Sequence, residues 1–97
     1  MKAYKDLVKY ALTNNDTVSV WDGEEWAVRR SLRYQEIIDA IESVEEAELR
    51  IRDLDGNSKA WALIVHDTGE DEHVADYTDN EYMDTWANQY FKQEASA

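Results

Sequence analysis

Twice along the chain a stretch of β-type sequence is broken by an Asp-Gly pair, and three helical stripes surround these two units. Thr17-Val-Ser-Val-Trp21 is rich in β-branched and aromatic residues, and Asp22-Gly23 and Glu25-Trp-Ala-Val-Arg29 follow it. Asp-Gly supplies the positive φ angles of a tight primed turn, which places a reversal at residues 22–24 and predicts a hairpin. In the second unit, residues 47–53 alternate strictly, with Leu49 and Ile51 on one face and Arg50 and Arg52 on the other. Asp55-Gly56-Asn57 then makes a turn into Ala60-Trp-Ala-Leu-Ile-Val65, an almost continuous apolar run that reads as a central strand.

The helical stripes have a different period. Tyr4, Leu7, Val8, Ala11 and Leu12 share one face of a helix over residues 3–13, which should stop at Asn14-Asn15-Asp16. Tyr34, Ile37, Ile38 and Ile41 mark a second helix with Ser31 as its expected N-cap. After a polar, acidic connection over residues 66–77, Thr78 and Glu81 have capping-box spacing. Tyr82, Met83, Trp86, Ala87, Tyr90 and Phe91 give the last helix its apolar face, and the tail should fray from about residue 93. The expected fold is α+β: one domain over residues 1–97 in the order α-β-β-α-β-β-α. A four-stranded antiparallel sheet with the helices on one face buries every stripe. At 97 residues the chain has room for one core, in which its four Trp and six Tyr should supply much of the volume.

Charge narrows the function classes. Twenty-two acids against ten bases leave a formal net charge of −12, which disfavours direct binding to a phosphate backbone and favours a partner protein with a basic surface or groove. The absence of Cys removes disulfides, thiolate nucleophiles and Cys-based metal sites, and fits a reducing compartment. The first twelve residues alternate charged and apolar positions, without the continuous apolar core of a signal peptide, and no run approaches a membrane span. The expected location is the cytoplasm of a bacterial host, with no membrane contact.

No catalytic set stands out. His66 and His73 flank or occupy the acidic connection without a serine motif beside them. Asp53, Asp55 and Asn57 have some calcium-loop character, but Gly56 falls between the second and third candidate ligands and no glutamate closes the loop, so a turn is the better reading. Phosphate-cradling glycine motifs are missing. The expectation is a protein that is not an enzyme and takes no cofactor or metal.

The acids fall in two blocks. Between Arg33 and Arg50 every charged residue is a carboxylate, including Glu36, Asp39, Glu42, Glu45 and Glu46; from Asp67 to Asp84 the same holds for Glu70, Asp71, Glu72, Asp76 and Asp79. Together with Tyr77, Tyr82 and Trp86, and with Trp21 as a further aromatic anchor, they are the candidate partner-binding residues, the charges speeding encounter and the aromatics setting residence time. The run Leu49-Arg-Ile-Arg-Asp53, then Asp55-Gly56-Asn57, a strand, an acidic loop and Asp84-Thr-Trp86-Ala-Asn88-Gln-Tyr90 resembles the small dGTPase-inhibitor proteins of short-tailed phages. The similarity is concentrated in residues 48–57 and 82–91. It implies a phage protein that binds a host dGTP triphosphohydrolase and so protects the nucleotide pool. The wider expectation is an inhibitor of a host nucleotide- or nucleic-acid-processing enzyme. The alternatives are an acidic DNA mimic acting against restriction or CRISPR systems, and a structural or oligomeric phage component.

Overall fold

In the computed structural model, which describes residues 2–66 and 74–95, the two hairpins join into one antiparallel sheet. The chain runs α1 (Ala3–Thr13), β1 (Thr17–Trp21), β2 (Trp26–Ser31), α2 (Tyr34–Glu42), β3 (Glu46–Arg52), β4 (Ser58–Val65), β5 (Val74–Tyr77) and α3 (Glu81–Ala95). Strand order is β2-β1-β3-β4-β5, so the alternating strand β3 is the middle of the sheet, paired with β1 on one side and β4 on the other.

The fifth strand corrects the expected count of four. Val74-Ala-Asp-Tyr77 is short, with its two middle residues exposed and its ends half-buried, so it carries little apolar alternation. It is held by backbone pairing to β4, Ala62 opposite Tyr77 and Leu63 opposite Asp76. Beyond it, Thr78 clamps Trp61: the Trp61 N–H donates to Thr78 Oγ1 at 2.8 Å, and the Thr78 N–H donates to the Trp61 carbonyl at 2.9 Å. That bond withdraws Thr78 from the capping box expected of it. The last helix is capped instead by Asn80, whose Oδ1 accepts the Met83 N–H at 3.0 Å. Ser31 likewise ends β2 rather than capping α2; its Oγ accepts the Arg33 N–H and donates to Glu36, both at 3.0 Å. The first turn is also longer than a tight two-residue reversal. Trp21 pairs with Trp26, and Asp22 Oδ1 accepts the N–H groups of Glu24 and Glu25, each at 2.8 Å.

All three helices meet one face of the sheet. Val18, Val20, Leu49, Ile51, Ala62 and Ile64 point into this layer and are fully buried with Leu7, Val8, Ile37, Ile41 and Met83. α2 lies over β1 and β2, α3 lies against β4, and α1 sits between them, packed on both. Aromatic side chains tie the layer together and send their polar tips to carboxylates, as buried Tyr and Trp require. Trp86 Nε1 donates to Asp6 Oδ2 at 2.9 Å, Tyr82 Oη donates to Asp16 Oδ2 at 2.9 Å, and Tyr4 Oη donates to Glu42. Part of the acidity is therefore internal scaffolding.

The same substitution at two leucines separates the layers. Leu49 is fully buried on the central strand and Leu54 is 60% exposed in the following turn. Leu49→Ala is expected to lower unfolding free energy by about 2–5 kcal/mol, and Leu54→Ala to change it by no more than about 0.5 kcal/mol, both read from urea titrations.

Candidate functional site

Because β3 alternates and the helices take one side, every second residue of the sheet faces away from the core. On β3 these are Glu46, Glu48, Arg50 and Arg52, and cross-strand pairing brings their neighbours into rows. Trp21 pairs with Glu48 and Glu48 with Leu63; Ser19 pairs with Arg50 and Arg50 with Trp61; Thr17 pairs with Arg52. Among the described residues no helix lies over this face, which carries acids at one end, bases at the other and tryptophans between, with the small side chains of Thr17 and Ser19 buried among them.

Local contacts fix much of this face. Trp21 and Trp26 stack edge to face with ring centroids 5.1 Å apart. Arg50 lies over the Trp61 ring at 5.9 Å, while Glu48 Oε2 receives Arg50 Nη2 at 3.5 Å and Trp61 Nε1 at 3.4 Å. Both of those bonds are long, so Glu48 retains accepting capacity. All three tryptophans are half-buried.

The basic end is set by a backbone irregularity. β2 bulges between its pairings at Val28 and Ser31, and Arg30 adopts φ 47°, a left-handed conformation that costs a non-glycine residue of order 1 kcal/mol. Two bonds hold it there: its N–H donates to Ser19 Oγ at 2.8 Å and its Nη2 donates to the Leu54 carbonyl at 3.0 Å. The guanidinium lies over Gly56, whose φ of 92° suits glycine and where an added Cβ would sit 3.6 Å from Arg30 Nη2. Arg52 Nη1 reaches the Gly56 carbonyl at 3.4 Å. Both arginines thus lean on main-chain oxygens of one turn, and neither has an ion-pair partner among the described residues. Asp53 of that turn is occupied by the N–H groups of Asn57 and Asp55, each at 2.9 Å, and the Asn57 bond leads in holding its carboxyl below the usual range. Ser19, Trp26, Arg29, Arg30 and Arg52 line a shallow hollow here.

The residues expected to form the partner surface are dispersed. Glu36, Asp39, Glu42 and Glu45 lie exposed along α2 and its exit, with Asp39 receiving Gln35 Nε2 at 2.8 Å and Glu42 meeting Lys5 at 3.7 Å. Glu46 belongs to the open sheet face, and Asp76 lies beside Leu63 on the exposed edge strand. Asp79 is exposed ahead of α3. Asp67, Glu70, Asp71 and Glu72, like His73, lie outside the described residues. α1, bearing Lys5 and Lys9, separates the α2 carboxylates from those of α3, so the described acids form two flanks rather than one continuous surface.

Among the aromatic anchors, Trp86 is 1% exposed and serves as core, packed against Tyr77 at 6.0 Å and Tyr90 at 5.7 Å. Tyr82 is half-buried against Tyr10 at 5.1 Å. Trp21 alone of the four lies on the open face. Sequence reasoning passed over Trp26, Trp61, Arg30, Arg50 and Arg52 as contact residues, although the outward alternation of the two β3 arginines and the tryptophan in the second strand of each hairpin were the available signals. His66 is accounted for structurally: its Nε2 donates to the Ile41 carbonyl at 3.0 Å and its ring meets Tyr4 at 5.2 Å. Among the described residues no group of three or more His, Asp or Glu side chains is arranged to hold a metal ion, and no helix is long and apolar enough to cross a membrane.

The Tyr82 hydroxyl offers a direct check on its structural role. Burial, followed by the bond to Asp16, raises its pKa well above the ordinary tyrosine value. A folded-state pKa above the unfolded one contributes stability that is intact below about pH 10 and is lost as pH rises further. Tyr82→Phe is expected to flatten that alkaline loss in urea titrations between pH 9 and 11; a contact residue without this burial would leave the profile unchanged.

No protein-family model, curated protein or solved structure matches the chain.

Proposed function

We propose that this chain is a phage-encoded, non-enzymatic inhibitor that binds a host nucleotide- or nucleic-acid-processing enzyme and blocks it, with a dGTP triphosphohydrolase as the first candidate. The observation that supports the reading is the carboxylate edge of α2. Glu36 and Asp39 are exposed on the helix and Glu45 at its exit, while Glu42 between them accepts the Tyr4 hydroxyl and meets Lys5, the one base within ion-pair distance of this edge among the described residues. An enzyme that handles nucleotides or nucleic acids carries a cationic groove, and an edge of this kind attracts such a groove over roughly a Debye length, about 8 Å at physiological salt. The resemblance of residues 48–57 and 82–91 to phage dGTPase inhibitors selects the candidate. Docking by a carboxylate edge fits the divided acids better than imitation of a DNA duplex, which needs a longer unbroken track of negative charge.

The test is capture from bacterial lysate on the immobilised chain, followed by inhibition assays with purified dGTP triphosphohydrolase. Loss of dGTP hydrolysis on adding the chain is the expected result; full activity at saturating chain, with no nuclease, restriction or CRISPR component captured, would sink the reading. The paired substitution Glu36→Gln, Asp39→Asn is expected to slow association by about tenfold at low salt and by less at high salt, with dissociation little changed.

A further inference from the structure

The uncovered sheet face has a charge order that matches its own reversal. On the central strand the outward residues read Glu46, Glu48, Arg50, Arg52, antisymmetric about Leu49. We infer that this face packs against the same face of a second copy, through a two-fold axis that crosses β3 at Leu49, perpendicular to the strands.

The operation fixes the contacts. An in-plane two-fold perpendicular to the strands keeps each strand over its own counterpart and reverses it end to end. Glu46 then lies opposite Arg52 of the second copy, and Glu48 opposite Arg50, each pair occurring twice. The flanking rows follow. Leu63, level with Glu48, meets Trp61, level with Arg50, on β4. Trp26, level with Trp21 and Glu48, meets the Arg29 and Arg30 end of β2, where the hollow lined by each copy's own Trp26, Arg29 and Arg30 sets the second ring beside the guanidinium groups. The alternative in-plane axis, parallel to the strands, would set acid on acid and arginine on arginine. Charge therefore selects one of the two orientations.

Size and packing are in range. Five strands about 4.8 Å apart and roughly 20 Å long present about 500 Å² in projection. With side-chain relief this approaches the roughly 800 Å² of accessible surface that each partner buries in a standard interface. Two twisted sheets packed in this way form an aligned sandwich about 10 Å thick, with half-exposed tryptophans supplying its interior. The bulge at residues 29–30 strains Arg30 yet positions its guanidinium at the rim of the hollow, where the reversed Trp26 arrives. Helices lie on the outer sides of both copies in such a dimer, so both α2 carboxylate edges stay free. The dimer presents two of them, one on each outer layer.

Net charge opposes association at low salt, so the experiment is sedimentation of the full chain over a wide concentration range at about 0.15 M salt, where that repulsion is screened. Twice the 11.3 kDa chain mass is the expected species. Glu46→Lys and Arg52→Glu each place like charges across the axis and are expected to weaken the dimer at least tenfold, whereas the double variant re-creates opposite charges and restores it. Glu46 and Arg52 are both exposed, and circular dichroism checks that each variant folds. A single-chain mass at every concentration, single variants that dimerise like the parent, or a double variant that stays monomeric would each overturn the inference. Capture of the enzyme is read separately: a monomer that still inhibits sinks the dimer and leaves the function, and a dimer that inhibits nothing does the reverse.

Discussion

The pairing of β3 with both β1 and β4 is the contact on which the rest of the molecule depends. It joins two hairpins that could each form only a marginal sheet alone. It also commits Leu49 and Ile51 to the helix layer and thereby sends Glu46, Glu48, Arg50 and Arg52 to the other side. A slip of one residue would exchange these sets and bury four charges, so the register is held by a large energetic difference. The aromatic struts then place the helices: Trp86 reaches Asp6, Tyr82 reaches Asp16 and Tyr4 reaches Glu42.

A consequence is that the acidity of the chain has four distinct physical uses. Asp6 and Asp16 accept hydrogen bonds from aromatic tips in the helix layer, and Asp22 and Asp53 organise the two turns through main-chain N–H groups. Glu36, Asp39 and Glu45 remain at the surface of the α2 flank. Glu46 and Glu48 form one pole of the open sheet face. The net charge of −12 therefore overstates the surface available to a basic partner. The arginines show the converse: Arg30 and Arg52 are concentrated at one end of one face and anchored to main-chain oxygens, so a strongly acidic chain still has a local basic pole.

Much of the fold was legible because periodicity is local. The helix over residues 3–13, the strand Thr17–Trp21 and the alternation of residues 47–53 follow from patterns that need no distant information. β5 was hidden because two of its four residues are exposed and its pairing partner lies across the 66–73 segment. The caps were misplaced for a related reason: Ser31 and Thr78 have the right side chains, but Thr78 is claimed by Trp61, a tertiary neighbour. At the candidate site, Arg50 and Arg52 were legible as outward residues. Trp86 was legible as a residue that packs, and its 1% exposure is what a long apolar helix stripe implies.

From the residues alone came the class of the fold and the inward set of strand side chains, since these rest on residue type and on spacing within single elements. Tertiary contacts alone settle which carboxylates are scaffolding, that α1 lies between the described acids of α2 and those of α3, and that Trp21, Trp26 and Trp61 share one face with the arginines. Those outcomes depend on strand order and on the β1–β3 register, contacts between segments some thirty residues apart whose pairing energy no local pattern encodes. The charge antisymmetry of β3 lay in the sequence throughout, but it acquired meaning only once β3 proved to be the middle strand of an uncovered face.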